Sequence, residues 1–127
     1  MSSKPPSQLE TQILGLLWRE GPLTARQVLE QLPDGKSRAY TSVLSTMQVM
    51  EKKGLLDHQR QGKTHVYRPL VEKEEVLRPV WRDLLRNFFS GRPAAAMQHL
   101  INESEVDAAE LDEIRALLDQ KAAKRKD

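Results

Sequence analysis

The sequence predicts a mainly α-helical fold with one small β-hairpin. Three observations carry this expectation. Apolar residues recur with helical spacing through most of the chain, and they switch to alternation only between positions 55 and 68. Capping boxes and glycine–proline breaks then cut the helical stretches into short units. At 127 residues there is room for one compact domain, or for a small domain with an appendage.

The first helix opens at Ser7-Gln8-Leu9-Glu10, where Ser7 and Glu10 can each satisfy one free backbone N–H. Leu9, Ile13, Leu16 and Leu17 form its apolar stripe, and Gly21-Pro22 stops it. Leu23 follows in a short extended stretch. Thr24-Ala25-Arg26-Gln27 is a second capping box; its helix buries Val28, Leu29 and Leu32 and ends at Pro33-Asp34-Gly35. A third helix is expected over residues 39–53, closed by Gly54, with Lys52 and Lys53 complementing its dipole. On it Val43, Met47 and Met50 share one face. Thr41, Ser45, Gln48 and Lys52 share the opposite one, with Ser42 at its edge and the sole acid, Glu51, to one side. Two strands are expected over residues 55–60 and 64–68, joined by a turn at Gln61-Gly62-Lys63.

Beyond Pro69 the helices lengthen. Leu77, Val80, Trp81, Leu84, Leu85 and Phe88 make a wide apolar stripe that Pro79 should bend or delimit. Gly91-Arg92-Pro93 breaks the chain before a short helix over residues 94–101. Asp107-Ala108-Ala109-Glu110 opens a last helix with Leu111, Ile114, Leu117 and Leu118 on one side, and residues 121–126 read as a frayed basic tail. The start, Met1-Ser2-Ser3-Lys4-Pro5-Pro6, reads as another frayed tail with none of the apolar run of a signal peptide.

Composition excludes several classes. Hydrophobic residues at 39% and charged residues at 30% suit a globular protein, and no apolar run approaches the ~20 residues of a membrane span. No membrane partner is therefore expected. Cysteine is absent, which removes disulfides, thiolate metal sites and cysteine catalysis and fits a cytoplasmic address. His58, His65 and His99 are too scattered for a metal site, so neither metal nor cofactor is expected. There is no glycine-rich phosphate loop, no plausible triad and no carboxylate cluster beside a histidine, and no enzyme activity is expected.

The net charge of +2 conceals an asymmetry. Residues 1–71 hold ten Lys/Arg against six Asp/Glu, whereas residues 72–127 hold ten against twelve. This suggests two parts: a polyanion-binding module over residues 1–71 and a different region over residues 72–127. Three helices followed by a basic hairpin make a winged helix-turn-helix pattern. A helix about 10–12 Å across fits the major groove of B-DNA, where its side chains reach base edges. Thr41, Ser42, Ser45, Gln48 and Lys52 form the reading face, Arg38 and Tyr40 lie where it meets the backbone, and Arg26 can reach a phosphate. Arg60, Lys63 and His65 belong to the wing. The rival reading is a winged-helix adaptor that binds protein instead; the acid-free face of the third helix argues against it.

Leu77, Trp81, Leu84, Leu85 and Phe88, with Leu111, Ile114, Leu117 and Leu118, would leave a large apolar surface on a lone chain. A second copy would cover it and set two reading helices about one DNA turn apart, making a homodimer; packing against residues 1–71 alone is the alternative.

Several segments resemble the penicillinase-repressor (BlaI/MecI/CopY) family. They are Leu14-Gly15-Leu16-Leu17-Trp18, Gly21-Pro22-Leu23-Thr24-Ala25-Arg26-Gln27-Val28, Ala39-Tyr40-Thr41-Ser42-Val43-Leu44, Glu51-Lys52-Lys53-Gly54-Leu55-Leu56, Tyr67-Arg68-Pro69-Leu70-Val71, Phe88-Phe89-Ser90-Gly91 and Leu111-Asp112-Glu113-Ile114. The resemblance implies an N-terminal winged helix and a three-helix C-terminal dimerisation region. It also implies a dimer that represses transcription from palindromic double-stranded operators with TACA and TGTA half-sites. Within it, Thr41 and Ser42 fall in the recognition helix and residues 60–67 in the wing. An upstream signalling protease or sensor is a further implied partner. Three departures stand out. The copper branch's cysteine motif is missing, the family's cleaved Asn-Phe bond falls at His99-Leu100, and Val49 stands where many members carry arginine. Asn87-Phe88 precedes the glycine break and lies in the wrong helix to replace that bond.

Overall fold

A computed structural model describes residues 6–126. In order these form α1 (Gln8–Glu20), β1 (Leu23–Thr24), α2 (Ala25–Gln31), a 3-10 turn (Gly35–Ser37), α3 (Tyr40–Lys52), β2 (Leu56–Gln61), β3 (Thr64–Pro69), α4 (Lys73–Phe89), α5 (Pro93–Glu103) and α6 (Ala108–Lys126). The chain divides into two compact units, with the boundary between Trp81 and Arg82 inside α4.

In the first unit, both expected capping boxes are formed. Ser7 Oγ accepts from the Glu10 N–H at 3.2 Å while Glu10 Oε1 accepts from the Ser7 N–H at 2.8 Å. Thr24 and Gln27 repeat the arrangement at α2, at 3.1 and 2.9 Å. The core combines Ile13, Leu14, Leu16 and Leu17 of α1, Val28 of α2, Val43, Met47 and Met50 of α3, and Leu56 and Tyr67 of the hairpin. Buried apolar side chains of this size contribute about 1.5–3 kcal/mol each, so this cluster fixes how the three helices are set.

The strands form one antiparallel sheet in the order β1-β3-β2, with Leu23 opposite Tyr67 and His58 opposite Tyr67 on the other side. Sequence reasoning begins the first wing strand at Leu55; the structure begins it at Leu56. The N–H of Leu55 is instead committed to the carbonyl of Met50, and that of Gly54 to Glu51, which closes α3 with Gly54 at φ 83°. At the other end Gln61 pairs with Thr64, leaving a two-residue turn whose first position, Gly62, has φ 64°. A positive φ there is what a tight hairpin turn needs to match the strand twist.

The 3-10 turn Gly35–Ser37 is an addition to the sequence reading, which ended α2 at this break without assigning structure to it. Further along the chain, α4 runs through Pro79, and α6 opens with the expected cap, the Glu110 N–H donating to Asp107 Oδ1 at 2.9 Å. Residues 121–126, expected to be frayed, remain helical as far as Lys126. The reason is composition: Ala, Lys and Arg are strong helix formers, and cations suit a helix C-terminus. Of the other expected tail, Met1 to Pro6, residues 1–5 lie outside the described residues. Among the described residues, no helix is long and apolar enough to cross a membrane.

Candidate nucleic-acid interface

Because Val43, Met47 and Met50 are fully buried, the opposite side of α3 must face outward. Thr41, Ser42, Ser45, Gln48 and Lys52 are all exposed there, as the periodicity predicts. Thr46, beside them, is spent internally: its hydroxyl donates to the Ser42 carbonyl at 3.0 Å. Val49 is 47% exposed, an apolar side chain on an otherwise polar surface. No side chain caps α3, since its N-cap is Ala39. The Ser42 N–H already donates to the Ala39 carbonyl at 3.1 Å, so the N–H groups of Tyr40 and Thr41 are the ones that keep capacity for an anionic partner.

Around this face the cations divide into two groups. Arg38 is held by Asp34, with Nη2–Oδ2 at 2.8 Å and Nε–Oδ2 at 2.9 Å. The hydrogen bond from Arg38 holds the Asp34 carboxyl below its usual range despite some desolvation. Arg68 is likewise held by Asp57 directly across the hairpin, at 3.1 Å. The Arg68 hydrogen bond comes first, and the His58 N–H second, in keeping the Asp57 carboxyl low. Lys53 reaches back to Glu10 at 2.9 Å. By contrast Arg26, Lys36, Lys52, Arg60 and Lys63 have no carboxylate partner among the described residues. Arg26 lies 4.3 Å over the ring of Tyr40, which holds the guanidinium by its flat face and leaves its N–H edge available. Arg60 donates from Nε to the Gly62 carbonyl at 3.2 Å, folded over its own turn.

The wing histidine has company that the sequence reading did not assign. His65 stacks on His58 with ring centroids 4.2 Å apart and planes 15° apart. The Nδ1 of His58 lies 2.8 Å from each carboxylate oxygen of Glu51 on α3. A two-residue turn at Gly62-Lys63 puts positions 58 and 65 on one face, so strict hairpin register could have found the stack. Neither spacing nor composition signals the Glu51 contact or the 3-10 turn that carries the cation Lys36.

The residues expected to mediate dimerisation are distributed over both units. Phe88 is 76% exposed, Leu117 and Leu118 are each 59% exposed and Trp81 is 52% exposed, while Leu77, Leu84, Leu85, Leu111 and Ile114 are half-buried. Val80, Met97 and Leu100 are further exposed apolar residues.

Comparison with known proteins accords with this geometry. The penicillinase repressor family profile matches residues 6–120. The transcriptional regulator BlaI of Mycobacterium tuberculosis is 34% identical over 112 residues, 87% of this chain and 80% of that protein. The penicillinase repressor of Bacillus licheniformis is 17% identical over 121 residues, 95% of this chain and 94% of that protein. Among solved structures, the DNA binding domain of the repressor BlaI aligns with TM-score 0.50 and 21% identity, covering 59% of this chain and 93% of that one. That likeness supports the winged-helix fold. With nearly the whole chain matched by the profile, this protein belongs to the penicillinase repressor family, whose named members are transcriptional repressors and not enzymes.

Proposed function

We propose that this chain is a sequence-specific double-stranded-DNA-binding repressor that acts as a homodimer on a palindromic operator with TACA/TGTA-type half-sites. The observation that carries the reading is the outer face of α3. It offers hydroxyls, an amide and a cation with no carboxylate among them, beside a wing whose Arg60 and Lys63 are unmatched. Thr41, Ser42, Ser45 and Gln48 then meet base edges, while Arg26, Lys52, Arg60, Lys63 and His65 meet phosphates. Arg38 acts differently from the others. Already paired with Asp34, it shapes the turn ahead of α3 and adds little charge.

The exposed apolar residues of α4, α5 and α6 support dimerisation. Two winged helices on one palindrome supply roughly 6–10 phosphate contacts, enough for tight and strongly salt-dependent binding. The work is done in the cytoplasm and requires no cofactor. His99-Leu100, exposed on α5, stands where the family's cleaved Asn-Phe bond falls, so an upstream protease that ends repression would have to act on a different kind of bond.

Fluorescence anisotropy with a TACA/TGTA palindrome and a scrambled duplex, across a salt series, tests the reading. Palindrome-selective binding that weakens steeply with salt is the expected result. Equal weak binding to both duplexes would mean a different operator. Absence of binding to either at low salt would overturn the reading in favour of a protein-binding adaptor.

A further inference from the structure

The wing's outer half has little to hold it. Leu56 and Tyr67 anchor the base of the hairpin in the core, but residues 59–65 are all exposed. The Arg68–Asp57 pair and the Arg60–Gly62 bond lie within the hairpin, so neither ties it to a helix. Among the described residues, the Glu51–His58 contact is the only side-chain hydrogen bond between α3 and the hairpin. A carboxylate only accepts, so Nδ1 of His58 must carry the proton that Glu51 receives. The same His58 ring stacks on His65, which extends the link from α3 through β2 to β3.

We propose that Glu51 and His58 form a clasp that sets the wing at a fixed angle to the recognition helix and, through the stacked His65, directs β3 towards DNA. This rests on the DNA-binding reading above. Both are positioning residues: Glu51 lies off the reading face, and His58 is covered on one side by His65. The clasp also accounts for the one acid on a helix whose outer face carries none. Its charge is engaged by the wing and turned away from the phosphates.

The test uses Glu51→Ala, His58→Ala and His58→Asn in the full chain, read in two ways. Amide hydrogen exchange of residues 59–65 is measured without DNA. Loss of this hydrogen bond to a charged group should make both alanine variants exchange roughly tenfold faster there while α1 is unchanged. His58→Asn, whose amide N–H can replace Nδ1–H, should restore protection. Anisotropy with the palindrome is the second reading. Removing a carboxylate beside DNA would tighten binding by charge alone; loss of the clasp predicts instead that Glu51→Ala binds several-fold more weakly. Its salt slope should be shallower by about one contact per wing. Unchanged wing exchange in both alanine variants overturns the clasp, whatever the chain binds. Faster exchange combined with tighter operator binding by Glu51→Ala overturns its role in DNA recognition. If the wild type binds neither duplex at low salt, the repressor reading fails and the exchange measurement alone still decides the clasp.

Discussion

Glu10 illustrates how much a single side chain can carry in a domain this small. It is 4% exposed, closes the α1 capping box and receives Lys53 from the end of α3. Burial pushes its carboxyl up, but the Ser7 N–H and the Lys53 ammonium together outweigh this and leave it below the ordinary value of 4.5. A carboxylate lowered in the folded state stabilises above its unfolded value, and that stability is lost as pH falls through the folded one. Melting temperature should therefore drop below about pH 4.5. Glu10→Gln, which keeps the cap acceptor and loses the charge, should flatten that drop and lower stability at pH 7 by about 1–3 kcal/mol. An unchanged acid limb in the variant would show that other carboxylates govern it. Arg26 offers a second test at this scale. Arg26→Ala should weaken palindromic and scrambled duplexes alike and reduce the salt slope by about one per protomer, as expected of a phosphate contact. Tyr40→Phe keeps the ring under Arg26 and should leave that slope intact.

Between residue and molecule, the elements show where local chemistry and tertiary contact meet. The break between α2 and α3 sets the angle of the recognition helix, and it is tight. A Cβ on Gly35 would collide with the backbone carbonyl oxygen of Leu29. Gly35→Ala should accordingly cost about 1–3 kcal/mol in thermal or denaturant unfolding and weaken DNA binding beyond what the lost stability explains. Full stability in that variant would mean that the turn relaxes freely. The sequence shows a break at Pro33-Asp34-Gly35, but not the 3-10 turn inside it. That turn is held by a close approach to α2 and by the Asp34–Arg38 pair, neither of which propensity encodes. The helix ends were more legible. Ser7/Glu10, Thr24/Gln27 and Gly54 act within four residues of their own positions, so their spacing alone identifies them.

At the scale of the molecule the two parts differ in how they use their apolar residues. The N-terminal unit gathers most of them into a buried core, whereas none of the side chains of α4 or α5 is fully buried. Such surfaces in a folded chain call for a partner. Phe88→Asp is expected to convert a dimer to a monomer in sedimentation equilibrium while the N-terminal unit melts as before, and to lower operator affinity by about a hundredfold or more through lost bivalency. A monomeric variant with full operator affinity would break the connection between dimerisation and repression.

The sequence alone determined the helix order, the caps, the hairpin and the outward face of α3. Each follows from periodicity or from hydrogen bonding over a few residues, and these are local properties of a chain. Tertiary structure decided which cations are free. Lys53 looks like Lys52 in a charge count, yet the fold brings the distant Glu10 to Lys53 and, among the described residues, no carboxylate to Lys52. It also decided that Glu51 meets His58 and that His65 rests on that same ring. Such contacts depend on where a helix and a hairpin lie once the core has closed between them, and no spacing along the chain encodes that distance.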